Sequence, residues 1–498
     1  MTTVLDICVQ KVHRNFLKKG LGLKDWQKIG IKWMAMRERS HVVKGGFLCD
    51  DMGMGKTIQV VGTMRLNKLM KTLIIMPGSL INQWKEIINK LLPTYNVYVH
   101  DGLNKVKKEE LEGNENPVVV LTTYGKSYRR INKKEGIFKT VLNDISWDRV
   151  VLDECHMIKN ERSKRYKGVN SIGGNIKWCL TGTPIQNSIG DIISLFHYLG
   201  ISMNKKISRD RLSEQCDKYI LRRTKKKTPE IIEKLPKMEV LIHKVPFMTT
   251  EEKEFYGRVR GEVKEEFKSM KKIYFDMTAI FELILRLRQA CIDPQMVLNG
   301  YNKKHNIEYQ KWEGSRTKIQ TIGGMIVEKK NERAIVFCHF IDEIERLRLI
   351  LEEKGMRVDI LDGRRSLEER REVIEKCKKE EIDILLVQIN VGGVGLNLQM
   401  FNKVYFCTPN WNPAIEDQAI ARSYRLGQDK PVTIHKIILE DEEEENTIEE
   451  RILEIQQNKR NRMSDILEDE DLLHNGDICR KTGQQNKLSI SDICYMLG

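Results

Sequence analysis

"GGFLCDDMGMGKTIQVVGTM", residues 45–64, runs from a short apolar stretch through a two-glycine loop into a helical pattern. In that setting the backbone N–H groups at a helix start converge on a phosphate, and the helix dipole adds to their pull. The usual phosphate loop reads G-x-x-x-x-G-K-[ST], and Asp50 stands where its first glycine belongs. Gly53 and Gly55 still allow close backbone approach, so the strand before and the helix after count for more than the early glycine. The candidate nucleotide loop is Asp50, Asp51, Met52, Gly53, Met54, Gly55, Lys56 and Thr57. In it Lys56 reaches the β- and γ-phosphates and Thr57 holds Mg²⁺.

Outward from this loop, short apolar runs alternate with longer amphipathic ones. Residues 72–76, 118–122, 149–153 and 177–181 read as buried strands, and so do 333–338, 357–361, 383–388, 403–407 and 432–438. Such alternation predicts α/β structure, with parallel sheets flanked by helices, in two lobes. Between the two groups, roughly residues 200–313, the chain is charged and mostly helical in pattern. There Ile280, Leu283, Ile284 and Leu287 share a helical face, with Arg286 and Arg288 on others. Residues 446–462 read as an amphipathic helix with Ile448, Ile452 and Ile455 on one face. The acidic run 441–445 reads as a solvated loop, 463–485 as a polar and flexible stretch, and 486–498 as a small docked helix.

The chain has 498 residues, too many for a single core, and a net charge of +15, which favours a polyanionic partner. No apolar run approaches the roughly 20 residues needed to cross a bilayer, and the first residues carry no secretory pattern. None of the eleven cysteines forms C-x-x-C. Cys179, Cys338 and Cys407 sit inside apolar strands as small hydrophobes, so the expectation is a reducing compartment without a zinc module.

"VVLDECHMIKN" (150–160) places Asp153 and Glu154 at a strand end. One carboxylate there can serve the Mg²⁺ shell and the next can polarise an attacking water. Thr181 and Thr183 end the following strand, where their hydroxyls could link the nucleotide site to the moving parts. "EDQAIARSYRLGQ" (416–428) predicts a helix carrying Gln418, Arg422 and Arg425, the two arginines on one face. Guanidinium groups stabilise charge on a transferring phosphoryl group, although an ordinary solvated helix is the plain alternative. The glycine-rich "NVGGVGLNLQ" (390–399) lies just upstream.

The ordered blocks "LKDWQ", "DDMGMGKT", "LIIMPGSLINQWKEI", "LTTY", "LDECH", "LTGTPIQN", "LRRTKKK", "LRLRQACIDP", "AIVFCHF", "LDGRRSLEERR", "GGVGLNL" and "WNPAIEDQAIARSYRLGQ" resemble the SWI/SNF-type branch of the superfamily 2 helicase-like ATPases. The compact build is similar to the viral members called global transactivators in baculoviruses. The resemblance implies two RecA-like lobes with a helical family-specific insertion. The expected layout is an N-terminal extension at 1–19, an ATP-binding lobe at 20–228, an insertion and linker at 229–313, a C-terminal lobe at 314–462 and a tail at 463–498. It implies an ATP hydrolase, dependent on DNA, that uses ATP and Mg²⁺ to translocate on double-stranded DNA and displaces bound proteins.

By the same resemblance Gln27 contacts adenine and Gly395 lines the ATP cleft. Lys56, Asp153, Glu154, Arg422 and Arg425 carry the chemistry, with Thr57 and Asp153 on Mg²⁺. Residues 77–80, 122–124 and the loops near Arg364 and Arg365 track the DNA backbone. Chromatin or transcription proteins are the implied partners, with no membrane, and the nucleus (a host nucleus if viral) is the implied location. The chain departs from the family at Gln388 and Ile389, where Ser-Thr is frequent, which bears on the coupling of hydrolysis to movement. A strand-separating helicase, or an ATPase-core scaffold acting as a transactivator, are the alternative readings.

Overall fold

The computed structural model describes residues 2–101, 106–128, 130–132, 137–138, 140–185, 189–204, 207–273, 276–305, 311–329, 331–392, 397–441, 446–467 and 495–497. Gly395 lies outside them. The chain divides into two units, one covering Met1–Glu233 and the other Lys234–Arg462 with pieces of the tail, including Lys487–Gly498.

The first unit is built on β1 (Gly45–Leu48), β2 (Lys71–Met76), β3 (Asn96–His100), β4 (Val118–Thr123), β7 (Arg149–Asp153), β8 (Ile176–Leu180) and β9 (Ile220–Leu221). A small antiparallel hairpin of β5 (Arg130–Asn132) and β6 (Ile137–Phe138) stands apart from that sheet. The seven strands lie in the order β3-β4-β2-β7-β8-β1-β9, and each pairing is parallel. Alternate residues serve opposite faces. Phe47, Leu73, Ile75, Val118, Val120 and Leu152 enter one core, while Leu48, Ile74, Val119, Leu121, Val151 and Trp178 enter the other. Both faces are therefore covered, which is why these strands read as continuous apolar runs. The helix Thr2–Leu17 joins the second of these cores through Val9, Val12 and Phe16. Beneath the sheet Glu38 takes Arg149 Nε and Nη2 at 2.6 Å each and Trp178 Nε1 at 3.0 Å, so a fully buried charge is paired.

The second unit holds β10 (Met238–Pro246), β11 (Ala334–Cys338), β12 (Val358–Leu361), β13 (Ile384–Gln388), β14 (Lys403–Phe406) and β15 (Val432–Glu440), ordered β10-β15-β14-β11-β13-β12 and parallel throughout. β10 lies inside the stretch read as mostly helical. Its burial alternates between partly covered and exposed, as an edge strand's does, so it lacks the apolar run of a central strand. The helices Thr250–Ile273, Met277–Ile292 and Ile448–Leu467 share a separate core with Met496 and Leu497.

Arg288 departs from the reading that set it apart from the apolar face. It is 4 % exposed, its Nη2 donates to the Pro409 carbonyl at 3.2 Å, and its guanidinium lies 5.2 Å from the Trp411 ring centre. Cys338, Cys407 and Glu343 bring their ligand atoms within 4.8 Å of one another. Glu343 accepts the His339 and Phe340 N–H groups at 2.8 and 3.1 Å, and burial pushes the Cys338 thiol well above its ordinary range. The two cysteines pack as small apolar groups.

Candidate active site

The loop after β1 has the form its glycines permit. Gly53 has φ 87° and Gly55 φ 84°, a left-handed backbone that costs an ordinary residue about 1–2 kcal/mol. Gly55 then caps the helix Lys56–Leu66. A Cβ on Gly55 would sit 2.4 Å from Gln27 Nε2, so a side chain there would also displace the Gln27 amide. Gln27 Nε2 and Trp26 Nε1 donate to the Met54 carbonyl at 3.2 and 3.0 Å, fixing the "LKDWQ" block against the loop. Lys56 Nζ donates to the Asp50 carbonyl at 2.7 Å.

Asp50 is fully buried, and its carboxylate is engaged within the protein. Gln59 Nε2 donates to Oδ2 at 2.9 Å, and Arg223 Nε donates to Oδ1 at 2.9 Å. Arg223 also donates to the Trp26 carbonyl. Its neighbour Arg222 donates to the carbonyls of Cys49 and Gly182 at 3.2 and 3.0 Å, and the Lys225 N–H reaches Asp51 Oδ2 at 2.9 Å. The "LRRTKKK" block therefore braces the phosphate loop from behind. Sequence reasoning missed this role. The one available signal was an aspartate in place of the loop's first glycine, since a buried carboxylate calls for a cationic partner.

The acid pair stands two strands away. Leu48 of β1 is in register with Leu180 of β8, and Leu180 with Asp153 of β7, so at ~4.8 Å per strand the backbone separation is about 10 Å. Asp153 accepts from Trp84 Nε1 at 2.8 Å and from the Glu154 N–H at 3.0 Å. Burial first, then the charge of Glu154, pushes its carboxyl up to about 6. Glu154 is held left-handed, φ 54° and ψ 50°, with His156 Nδ1 3.3 Å from Oε2. Strain at a non-glycine residue persists where the surroundings fix it. Thr181 is buried between the two, its Oγ1 3.5 Å from His156 Nδ1 and accepting the Thr183 N–H at 3.1 Å. A raised carboxyl, a second carboxylate and a lysine around a glycine cradle suit a phosphate chain with a divalent cation.

Other predicted residues fall elsewhere. Tyr124 is buried, and its hydroxyl donates to the Asp153 carbonyl at 2.9 Å, so this member of 122–124 props the acid strand. In the second unit the helix Pro413–Ser423 carries Gln418 and Arg422. It ends before Arg425, which lies in the following turn, so the shared helical face does not form. Arg364 pairs with Asp362 at 2.6 Å and Glu345 at 2.7 Å, and Arg365 pairs with Asp359 at 2.6 Å. These two arginines are already matched by carboxylates.

The SNF2-related domain pattern matches residues 26–296, and the helicase conserved C-terminal domain pattern matches 317–427. A putative ATP-dependent helicase/translocase of Bacillus subtilis is 29 % identical over 94 % of this chain and 51 % of its own length. A probable global transactivator of Orgyia pseudotsugata multicapsid polyhedrosis virus is 29 % identical over 88 % of this chain and 90 % of its own length. The chain thus spans about half the length of the bacterial relative. A solved SWI2/SNF2 ATPase core of Sulfolobus solfataricus, in complex with dsDNA, aligns with 91 % of this chain and 94 % of its own at 26 % identity and a TM-score of 0.38.

Proposed function

This chain belongs to the SNF2-related family, and on that premise we propose that it hydrolyses ATP and spends the energy on tracking along double-stranded DNA, displacing proteins bound there. The observation that carries the reading is one sheet edge holding both a two-glycine phosphate loop and the raised Asp153 beside a strained Glu154. Lys56 and the loop N–H groups bind the phosphates, and Gln27 lies beside the loop where it can meet the base. Thr57 and Asp153 are the residues that would hold Mg²⁺, which when bound offsets phosphate charge. Glu154 orients the attacking water and accepts its proton. Arg422 and Arg425 supply positive charge for the transferring phosphoryl group.

The net charge of +15 supports a polyanionic track. A duplex substrate in a eukaryotic cell or a virus-infected one implies work in the nucleus, with chromatin or transcription proteins as the displaced partners. Among the described residues no helix is long and apolar enough to cross a membrane.

Phosphate release with and without duplex DNA tests the proposal. Duplex raises the wild-type rate and leaves Lys56→Ala flat, and a wild-type rate unmoved by duplex sinks the reading. Efficient strand displacement on a tailed duplex would favour a strand-separating helicase instead.

A further inference from the structure

Gln388 closes β13, and the next residue begins the helical turn Ile389–Gly392 that leads into the glycine-rich segment. Its side chain turns sideways across the sheet edge. Gln388 Oε1 accepts the Gly363 N–H at 3.2 Å. Gly363 comes after β12 and begins the turn that carries Arg364 and Arg365 before the helix Leu367–Lys378. The same turn is held at further points. Asp362 Oδ1 accepts the Arg364 N–H at 2.9 Å, and Arg370 Nη2 donates to the Asp362 carbonyl at 3.1 Å. Both of those contacts stay within the turn and its own helix. Arg364 also pairs with Glu345 of the helix Ile341–Glu353 at 2.7 Å, side chain to side chain, whereas the Gln388 bond ties the turn's own backbone to another strand. Ile389 is 1 % exposed and packs in the sheet's core, so the backbone at this strand end is anchored while the Gln388 amide reaches out.

We infer that Gln388 is a positioning residue, joining the arginine turn after β12 to the end of β13, so that a displacement of that turn is carried to residues 389–392. A duplex phosphate at Arg364 or Arg365 must exchange with Asp362, Glu345 or Asp359, and that exchange shifts the turn. Through the Gly363–Gln388 bond the shift reaches the backbone of residues 389–392. The inference rests on the proposed duplex-dependent ATPase and names the side chain by which the duplex is felt.

The test compares Gln388→Met, of similar length but lacking the acceptor, with Gln388→Glu, which keeps an acceptor oxygen. Gln388→Met retains the ATPase rate without DNA. It loses about threefold to tenfold of the duplex-stimulated rate, the effect of one neutral hydrogen bond, and Gln388→Glu recovers part of that loss. Amide hydrogen exchange across residues 361–370 rises in Gln388→Met alone. Wild-type stimulation and wild-type exchange in Gln388→Met would overturn the inference. Should duplex leave the unaltered protein unstimulated, the functional proposal falls by itself, and unchanged exchange in Gln388→Met would still defeat the positioning role.

Discussion

The two sheets share six strand positions in one order, β3-β4-β2-β7-β8-β1 in the first unit and β12-β13-β11-β14-β15-β10 in the second. β10 therefore holds the place that β1 holds. The segments leaving these two strands differ. After β1 come two left-handed glycines and a helix start whose N–H groups face a cradle. After β10 come residues 247–249, without glycine, leading into the helix Thr250–Ile273. There the protein's own carboxylate does the accepting. Glu252 is buried and takes the Thr317 N–H at 2.9 Å and hydroxyls from Ser315 and Thr317 at 2.6 Å each. Lys253 stands 3.3 Å from Asp441. Strand order alone thus makes no phosphate site. The first unit differs by glycine at positive φ and by a lysine bonded to a loop carbonyl and not to a carboxylate.

The largest expected effect separates the two lysines. Lys56→Ala and Glu154→Gln each lower ATP turnover by about 10²–10³-fold, the range seen when one charge-stabilising group is removed. Lys253→Ala, at the corresponding place in the second unit, leaves turnover unchanged. Phosphate-release assays decide this, and an equal loss in both units would break the comparison.

Next in size is the brace behind the first loop. Arg223→Ala strands the fully buried Asp50, and a lone buried charge costs about 3 kcal/mol. Chemical denaturation monitored on the first unit measures that loss, and the accompanying Arg223→Ala, Asp50→Asn double variant recovers part of it. An undiminished midpoint in Arg223→Ala would remove "LRRTKKK" from the account of the loop.

The smallest effect belongs to the second unit. His435 is 1 % exposed, its Nδ1 lies 2.9 Å from His243 Nε2, and its ring stacks on Tyr405. Burial, then His243, Lys329 and Lys403, lower its folded pKa to about 4 from 6.5. The unfolded chain therefore binds more protons between those values. The contribution is whole above pH 6.5 and is lost as pH falls toward 4, amounting to about 1–2 kcal/mol after screening. Calorimetry from pH 7 to 5 reads the decline, and His435→Gln flattens it.

Central strands were legible because each is buried on both faces and so reads as an apolar run. β10 was not, because an edge strand mixes exposed and covered residues among charged neighbours. The two-glycine turn before a helix and the strand-end carboxylates were legible because each is local. The Asp50–Arg223 pair and the Arg288–Trp411 contact join residues more than a hundred positions apart, and no helical projection carries such partners. The projection likewise put Arg425 on a helix that ends at Ser423. The carboxylate partners of Arg364 and Arg365 were hidden for the same reason, since one of them, Glu345, comes from another helix.

Displacement of a labelled third strand from a DNA triplex tests the central claim most directly, because a protein tracking along the duplex strips that strand without separating the duplex. With ATP the unaltered protein is expected to release it. With a non-hydrolysable analogue, or in Glu154→Gln, the strand stays bound. A protein that hydrolyses ATP on duplex DNA yet leaves the third strand in place, or releases it without hydrolysis, would contradict the account.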